Sequence, residues 1–179
     1  MTLIQQVLID SLFFIVMYLL LYAFHLKKLH PRKAFYHSAF YYSIVIILMS
    51  TLSPILANLT SFFHLEVFEF NWIPFLDWKY QYGNYIEESI ANIFLFIPFS
   101  LSYGICFRKR PYLAIPIGFF FSMFIEFTQA LLLLNRVGDI SDILTNTFGC
   151  ILGVGLYYLI KERIYNMNLN DKAKEKQLD

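Results

Sequence analysis

Apolar residues run along this chain in five long blocks, each closed by a short polar or charged interruption. Each block reaches about 20 mainly apolar residues, the length of helix that a lipid hydrocarbon core requires. The pattern predicts helices over roughly 5–25, 36–58, 87–106, 112–134 and 141–160. Lys27, Lys28, Pro31, Arg32 and Lys33 close the first, and Arg108, Lys109, Arg110 and Pro111 close the third. Pro54 lies near the end of the second block, where it limits or kinks a helix, and Pro116 lies in the first turns of the fourth. The expected fold is all-α, a polytopic membrane helix bundle with about five transmembrane helices. It divides into a first helix with a basic loop (1–35), a membrane domain (36–162) and a polar tail of mixed charge (163–179).

The first block reads as a retained helix. No Lys or Arg precedes it, and Ala23 is followed by a bulky Phe24, so neither the basic leader nor the small-residue cleavage site of a secretory signal is present. Between the second and third blocks, residues 59–86 form a loop dense in aromatic side chains, among them Phe62, Phe63, Phe68, Phe70, Trp72, Phe75, Trp78, Tyr80, Tyr82 and Tyr85. Such rings suit the headgroup region of a membrane, where an apolar face and a polar edge both find partners. This loop is expected to lie over the bundle as a lid or re-entrant segment.

Composition supports the membrane reading: 58% of the 179 residues are hydrophobic, more than a soluble domain of this size hides. A formal net charge of +1 offers no bulk case for binding nucleic acid. Cys106 and Cys150 both sit in apolar runs and are expected to be packing residues rather than a disulfide or metal pair. The distribution of charge says more than its sum. The loops 26–35 and 107–111 and the tail hold nearly all the Lys and Arg, whereas 59–88 holds Glu66, Glu69, Asp77, Glu87 and Glu88 against Lys79. By the positive-inside rule the basic loops are cytoplasmic, which places the amino terminus outside and the carboxyl terminus in the cytoplasm.

Against this background Glu126, Gln129, Arg136, Asp139, Asp142 and Asn146 fall within 21 positions. Polar groups at such a place are costly unless they are paired, hydrated or used. Glu126 and Gln129 share a helix face by three-residue spacing. Asp142, Asn146, Gly149 and Gly153 form one stripe on the fifth helix, and Asn92 shares a face with Glu88 on the third. The GxxxG pair Gly149 and Gly153 permits close helix approach, with Gly155 a further small position nearby. The expected topology puts all these groups in the outer half of the membrane. An outward-facing polar pocket of Asn92, Glu126, Gln129, Arg136, Asp139, Asp142 and Asn146 follows as a candidate ligand site, with Glu126 or Asp142 the candidates for a general base.

Plainer roles compete. Asp139 or Ser141 could cap the fifth helix with Asp142 in its favourable first turn, and Arg136 could be a surface partner of either acid. The deeper groups could form an interhelical hydrogen-bond network alone. A divalent ion on Glu126, Asp139 and Asp142 is a lesser alternative. His25, His30 and His37 fall at the opposite membrane face from His64 and cannot join the acids, so no metal site and no cofactor are expected. No nucleotide fingerprint or hydrolase triad is present.

From Asn71 to Leu159 the chain resembles VanZ-like membrane proteins. The resemblance rests on NWIPF at 71–75, NIFLFIPF at 92–99, the Glu126–Gln129 pair, and Arg136 followed by DISDILTNTFGCILG at 139–153. Ser100 departs from the pattern, where glycine is expected. The resemblance implies a small multi-span protein of the bacterial cell membrane, linked to resistance to teicoplanin, a glycopeptide that acts at the outer face. An outward pocket would then take an amphiphile such as a membrane lipid, a lipid-linked cell-wall precursor or a lipoglycopeptide. An intramembrane enzyme acting on a lipid-linked envelope substrate, or a small lipid transporter, are the alternative readings.

Overall fold

The computed structural model describes residues 2–54, 69–132 and 137–178, with side chains described to residue 163 except that of Leu132. The described elements are α1 (Leu3–Phe24), α2 (Pro31–Leu52), β1 (Phe70–Asn71), α3 (Leu76–Tyr80), α4 (Tyr85–Cys106), α5 (Ala114–Leu132), β2 (Gly138–Asp139) and α6 (Ile140–Leu178). Five of these helices are long and apolar enough to cross a membrane, α6 through its part Ile140–Arg163. The protein is an all-α membrane helix bundle.

Local chemistry sets the helix ends. Thr2 and Gln5 close a capping box on α1: the Thr2 hydroxyl accepts from the Gln5 amide, and the Gln5 side chain accepts from the Thr2 amide at 2.9 Å. α2 begins at Pro31, which suits a first helical turn because its missing N–H would be unpaired there anyway. It stops at Leu52, short of the expected 58, because the residue before Pro54 is driven out of helical geometry and Ser53 is extended. Short 3-10 turns at Leu26–Lys28 and Pro111–Leu113 join α1 to α2 and α4 to α5. At the far end of α6 the helical backbone runs on through the polar tail to Leu178.

α4 is the central helix, packed against α2 on one side and α6 on the other. Helices in lipid gain little from hydrophobic association, so close steric fit does more of the holding. The GxxxG pair supplies that fit: a Cβ on Gly149 would overlap the Ile93 carbonyl of α4, and one on Gly153 would meet the Ile97 carbonyl and the Ser100 hydroxyl. Ser100, the departure from the resembled pattern, is thus a buried packing residue whose hydroxyl turns back to the Phe96 carbonyl at 3.1 Å. Cys150 packs against Gly118 of α5, and Tyr157 against Gly104 of α4. Gly155, by contrast, faces open space. Ile47, Leu52, Phe96, Phe99, Ile125 and Cys150 fill the resulting core.

α1 stands at the periphery, with Leu8, Leu12, Ile15 and Leu19 all exposed, as expected of a helix facing lipid. Tyr18 binds it to α2 through rings on Tyr41 and Tyr42, 5.5 and 5.1 Å between centroids. Residues 55–58, the end of the expected second helix, and residues 59–68 of the aromatic loop lie outside the described part. The rest of the loop crosses the end of the bundle where α5 meets α6: β1 pairs in parallel with β2, Phe70 opposite Gly138 and Asn71 opposite Asp139. The Phe70 ring stacks on Phe127 of α5 at 5.2 Å.

Candidate functional site

The chain places its polar groups at the bundle end opposite the basic turns. On α5, Phe120 and Phe124 are exposed while Glu126 and Gln129 are only 2% and 3% exposed. The three-residue spacing puts both polar side chains on the inward face. Glu126 lies six residues before the end of α5, roughly 9 Å along the helix. Its Oε2 accepts a hydrogen bond from the Asp139 backbone amide at 3.0 Å. The two elements come close because residue 138 is glycine: a Cβ there would lie 2.7 Å from the Glu126 carbonyl and 2.6 Å from the Phe70 ring.

Asp139 is the hub of the next tier. Its Oδ1 accepts from the Ser141 amide at 2.6 Å, capping α6, and its Oδ2 accepts from Asn71 Nδ2 at 2.9 Å. Asn71 Oδ1 in turn accepts from the Ile73 amide at 3.1 Å, and Ser141 Oγ accepts from the Phe75 amide at 2.8 Å. That last bond holds Phe75 in a left-handed conformation, φ 55°, that a bulky residue rarely adopts. The NWIPF and DISD segments, 66 residues apart at this contact, are therefore one interlocked unit.

Gln129 faces elsewhere: its Nε2 donates to the Thr51 carbonyl at 2.8 Å, one of the last carbonyls of α2 that has no partner within its own helix. Deeper in the bundle Asn146 is 1% exposed and donates through Nδ2 to Ser122 Oγ at 2.8 Å, while its Oδ1 has no hydrogen-bond partner among the described residues. Asp142 is half-buried in the first turn of α6. Asn92 is half-buried on α4, and the hydrogen bonds described join it to neither Glu126 nor Gln129. Arg136 lies outside the described residues. Of the seven expected site residues, the structure ties Glu126 directly to Asp139. It sets Gln129 and Asn146 beside them on α5 and α6, in separate bonds to α2 and to Ser122.

Asp10 was not among the expected residues. It is the buried residue of α1, 1% exposed, and its Oδ2 accepts from Ser53 Oγ at 3.0 Å. It sits seven residues into α1, roughly 10 Å, about the depth of Glu126 from its own end. The signal was available: a lone acid inside an otherwise uncharged apolar block. Ser122 was also legible, one turn before Glu126 on the same face. Among the described residues no three His, Cys, Asp or Glu side chains are placed to hold a metal ion.

The last turn of α2 therefore joins α1 to α5, through Ser53 and Thr51, and the loop and α6 join α5 through Asp139. The result is a layer of carboxylate, amide and hydroxyl groups across one end of an apolar bundle.

Protein VanZ of Enterococcus faecium is 28% identical over 130 residues, covering 71% of this chain and 76% of that protein. No solved structure matches the chain. The family described as VanZ/LLP1 matches residues 12–161, which takes in most of α1 and all of α2 as well as the motif-bearing helices. The chain belongs to the VanZ/LLP1 family and is a VanZ-like multi-pass membrane protein.

Proposed function

We propose that this protein binds an amphiphile at the outer leaflet and so contributes to resistance to glycopeptides of the teicoplanin type or to envelope homeostasis. The observation that carries this reading is the burial of Glu126 in an ordered polar layer near one end of a membrane bundle, hydrogen-bonded to the Asp139 amide. A carboxylate at that depth is costly to keep, which makes it a functional candidate by default. The asymmetry of Lys and Arg supports an outward orientation for this end. Asn92, Glu126, Gln129, Asp139, Asp142 and Asn146 would line the pocket, and Arg136 would meet an anionic headgroup or peptide carboxylate. The aromatic segment around Phe70, Trp72 and Phe75 would cover it at headgroup depth. The ligand class is a membrane lipid, a lipid-linked cell-wall precursor or a lipoglycopeptide.

The test is expression of wild type and Glu126→Gln in a susceptible bacterium, with membrane levels matched. Wild type raises the inhibitory concentration of a teicoplanin-type lipoglycopeptide several-fold, and the variant does not. Unchanged sensitivity with wild type at full membrane level overturns the resistance role. Turnover of a lipid-linked precursor by purified protein, lost in Glu126→Gln, would replace binding with intramembrane catalysis.

A further inference from the structure

At the end of the bundle opposite Glu126, an open groove of about 620 Å³ lies between the second half of α1 and the first half of α2. That volume is in the range of small-molecule sites, about 300–1,000 Å³. Its lining combines Lys27 of the turn with Tyr18 and Tyr22 of α1 and Ser38 and Tyr42 of α2, with aliphatic side chains among them. Tyr18 is six residues before the end of α1, roughly 9 Å along the helix axis, so the groove runs from the turn at headgroup depth into the hydrocarbon. The floor is held: the Tyr18 hydroxyl bonds Ser38 Oγ at 3.0 Å, leaving the tyrosine rings as the apolar surface.

The charge around the mouth has one sign. Lys28 shares the turn with Lys27, Arg32 and Lys33 follow in the first turn of α2, and no Asp or Glu occurs between Asp10 and Glu66. Arg108, Lys109 and Arg110 lie on the other basic turn, between α4 and α5, and do not line the groove. A cationic mouth leading to an aromatic and aliphatic wall matches a molecule with an anionic head and a hydrocarbon tail. Basic pockets between transmembrane helices bind the headgroups of anionic lipids in this way.

We infer that the α1–α2 groove holds the headgroup and one acyl chain of an anionic phospholipid from the leaflet that meets the basic turns. The phosphate sits at Lys27 among its neighbouring cations, and the chain lies against Tyr22, Tyr18 and Tyr42. This site is separate from the polar layer around Glu126 and stands whether or not that layer binds a ligand.

The test is native mass spectrometry of the purified full-length protein titrated with phosphatidylglycerol, with phosphatidylcholine of the same chains, and with inorganic phosphate. One phosphatidylglycerol is retained, roughly tenfold more tightly than phosphatidylcholine. The Lys27→Gln, Arg32→Gln double variant loses that preference, and Ala39→Trp, which fills the groove, lowers retention of both lipids. Arg108→Gln, Lys109→Gln on the other basic turn changes neither. Circular dichroism confirms that each variant is folded. Equal retention of the two lipids overturns the proposal, as does an equal loss from the Arg108, Lys109 pair or full retention by Ala39→Trp. Displacement of the lipid by inorganic phosphate alone would mark an anion site without the acyl chain and equally overturn it.

Discussion

Glu126 shows how one side chain can be expensive and still structural. Its carboxylate satisfies the part-buried Asp139 amide. Glu126→Gln keeps an acceptor oxygen, so its stability should stay close to wild type. Glu126→Ala strands the amide and should cost about 1–3 kcal/mol, read from thermal or denaturant unfolding in detergent. A difference between Gln and Ala in stability, beside an equal loss of resistance in both, would separate the structural role from the functional one. Gly138 is the complementary case. Gly138→Ala drives a methyl group into the Glu126 carbonyl and the Phe70 ring, two groups that cannot both retreat. The expected loss is about 1–3 kcal/mol, with the β1–β2 contact opened.

Helix packing makes a sharper prediction because α6 carries its own control. Gly149 and Gly155 lie on one helix, six residues apart, yet only Gly149 meets backbone: a Cβ there overlaps the Ile93 carbonyl, and one on Gly155 meets nothing within 4 Å. Gly149→Ala should lower stability by about 1–3 kcal/mol as α6 is pushed from α4. Gly155→Ala should be neutral or stabilising by up to about 1 kcal/mol, since alanine is the better helix former. Parallel unfolding curves of the two variants check this. Equal effects would mean that helix propensity, not the α4–α6 contact, governs this region. The glycines were legible as close-packing candidates, but which of them meets a neighbour depends on the rotation of α6, and sequence spacing does not supply that.

For the molecule as a whole, orientation is the testable quantity. With Cys106 and Cys150 replaced, a cysteine at Tyr82 should react with a membrane-impermeant maleimide in intact cells. One at Lys109 should react only after permeabilisation, as the distribution of Lys and Arg requires. Tyr82 is 70% exposed, so access is not limited by packing. The reverse pattern would put Glu126 on the cytoplasmic side and overturn the outer-leaflet reading. The same experiment fixes which leaflet feeds the α1–α2 groove.

By itself the sequence determined the number of spanning helices, most of their ends, and the clustering of polar residues near one end of the bundle. Those follow from local physics: apolar run length against membrane thickness and the cost of a charge in hydrocarbon. The ends of α2, expected near 36 and 58, instead fall at Pro31 and Leu52. It also marked Glu126 and Asp139 as neighbours in one region. The tertiary structure alone decided their partners. Asp10 is buried because the last turn of α2 reaches it with Ser53, and Gln129 serves the carbonyl of Thr51 across the bundle. Asn71 reaches Asp139 from 68 residues away. Hydrogen bonds of that separation depend on how whole helices are rotated and stacked, a property of the packed bundle that no local stretch of chain encodes.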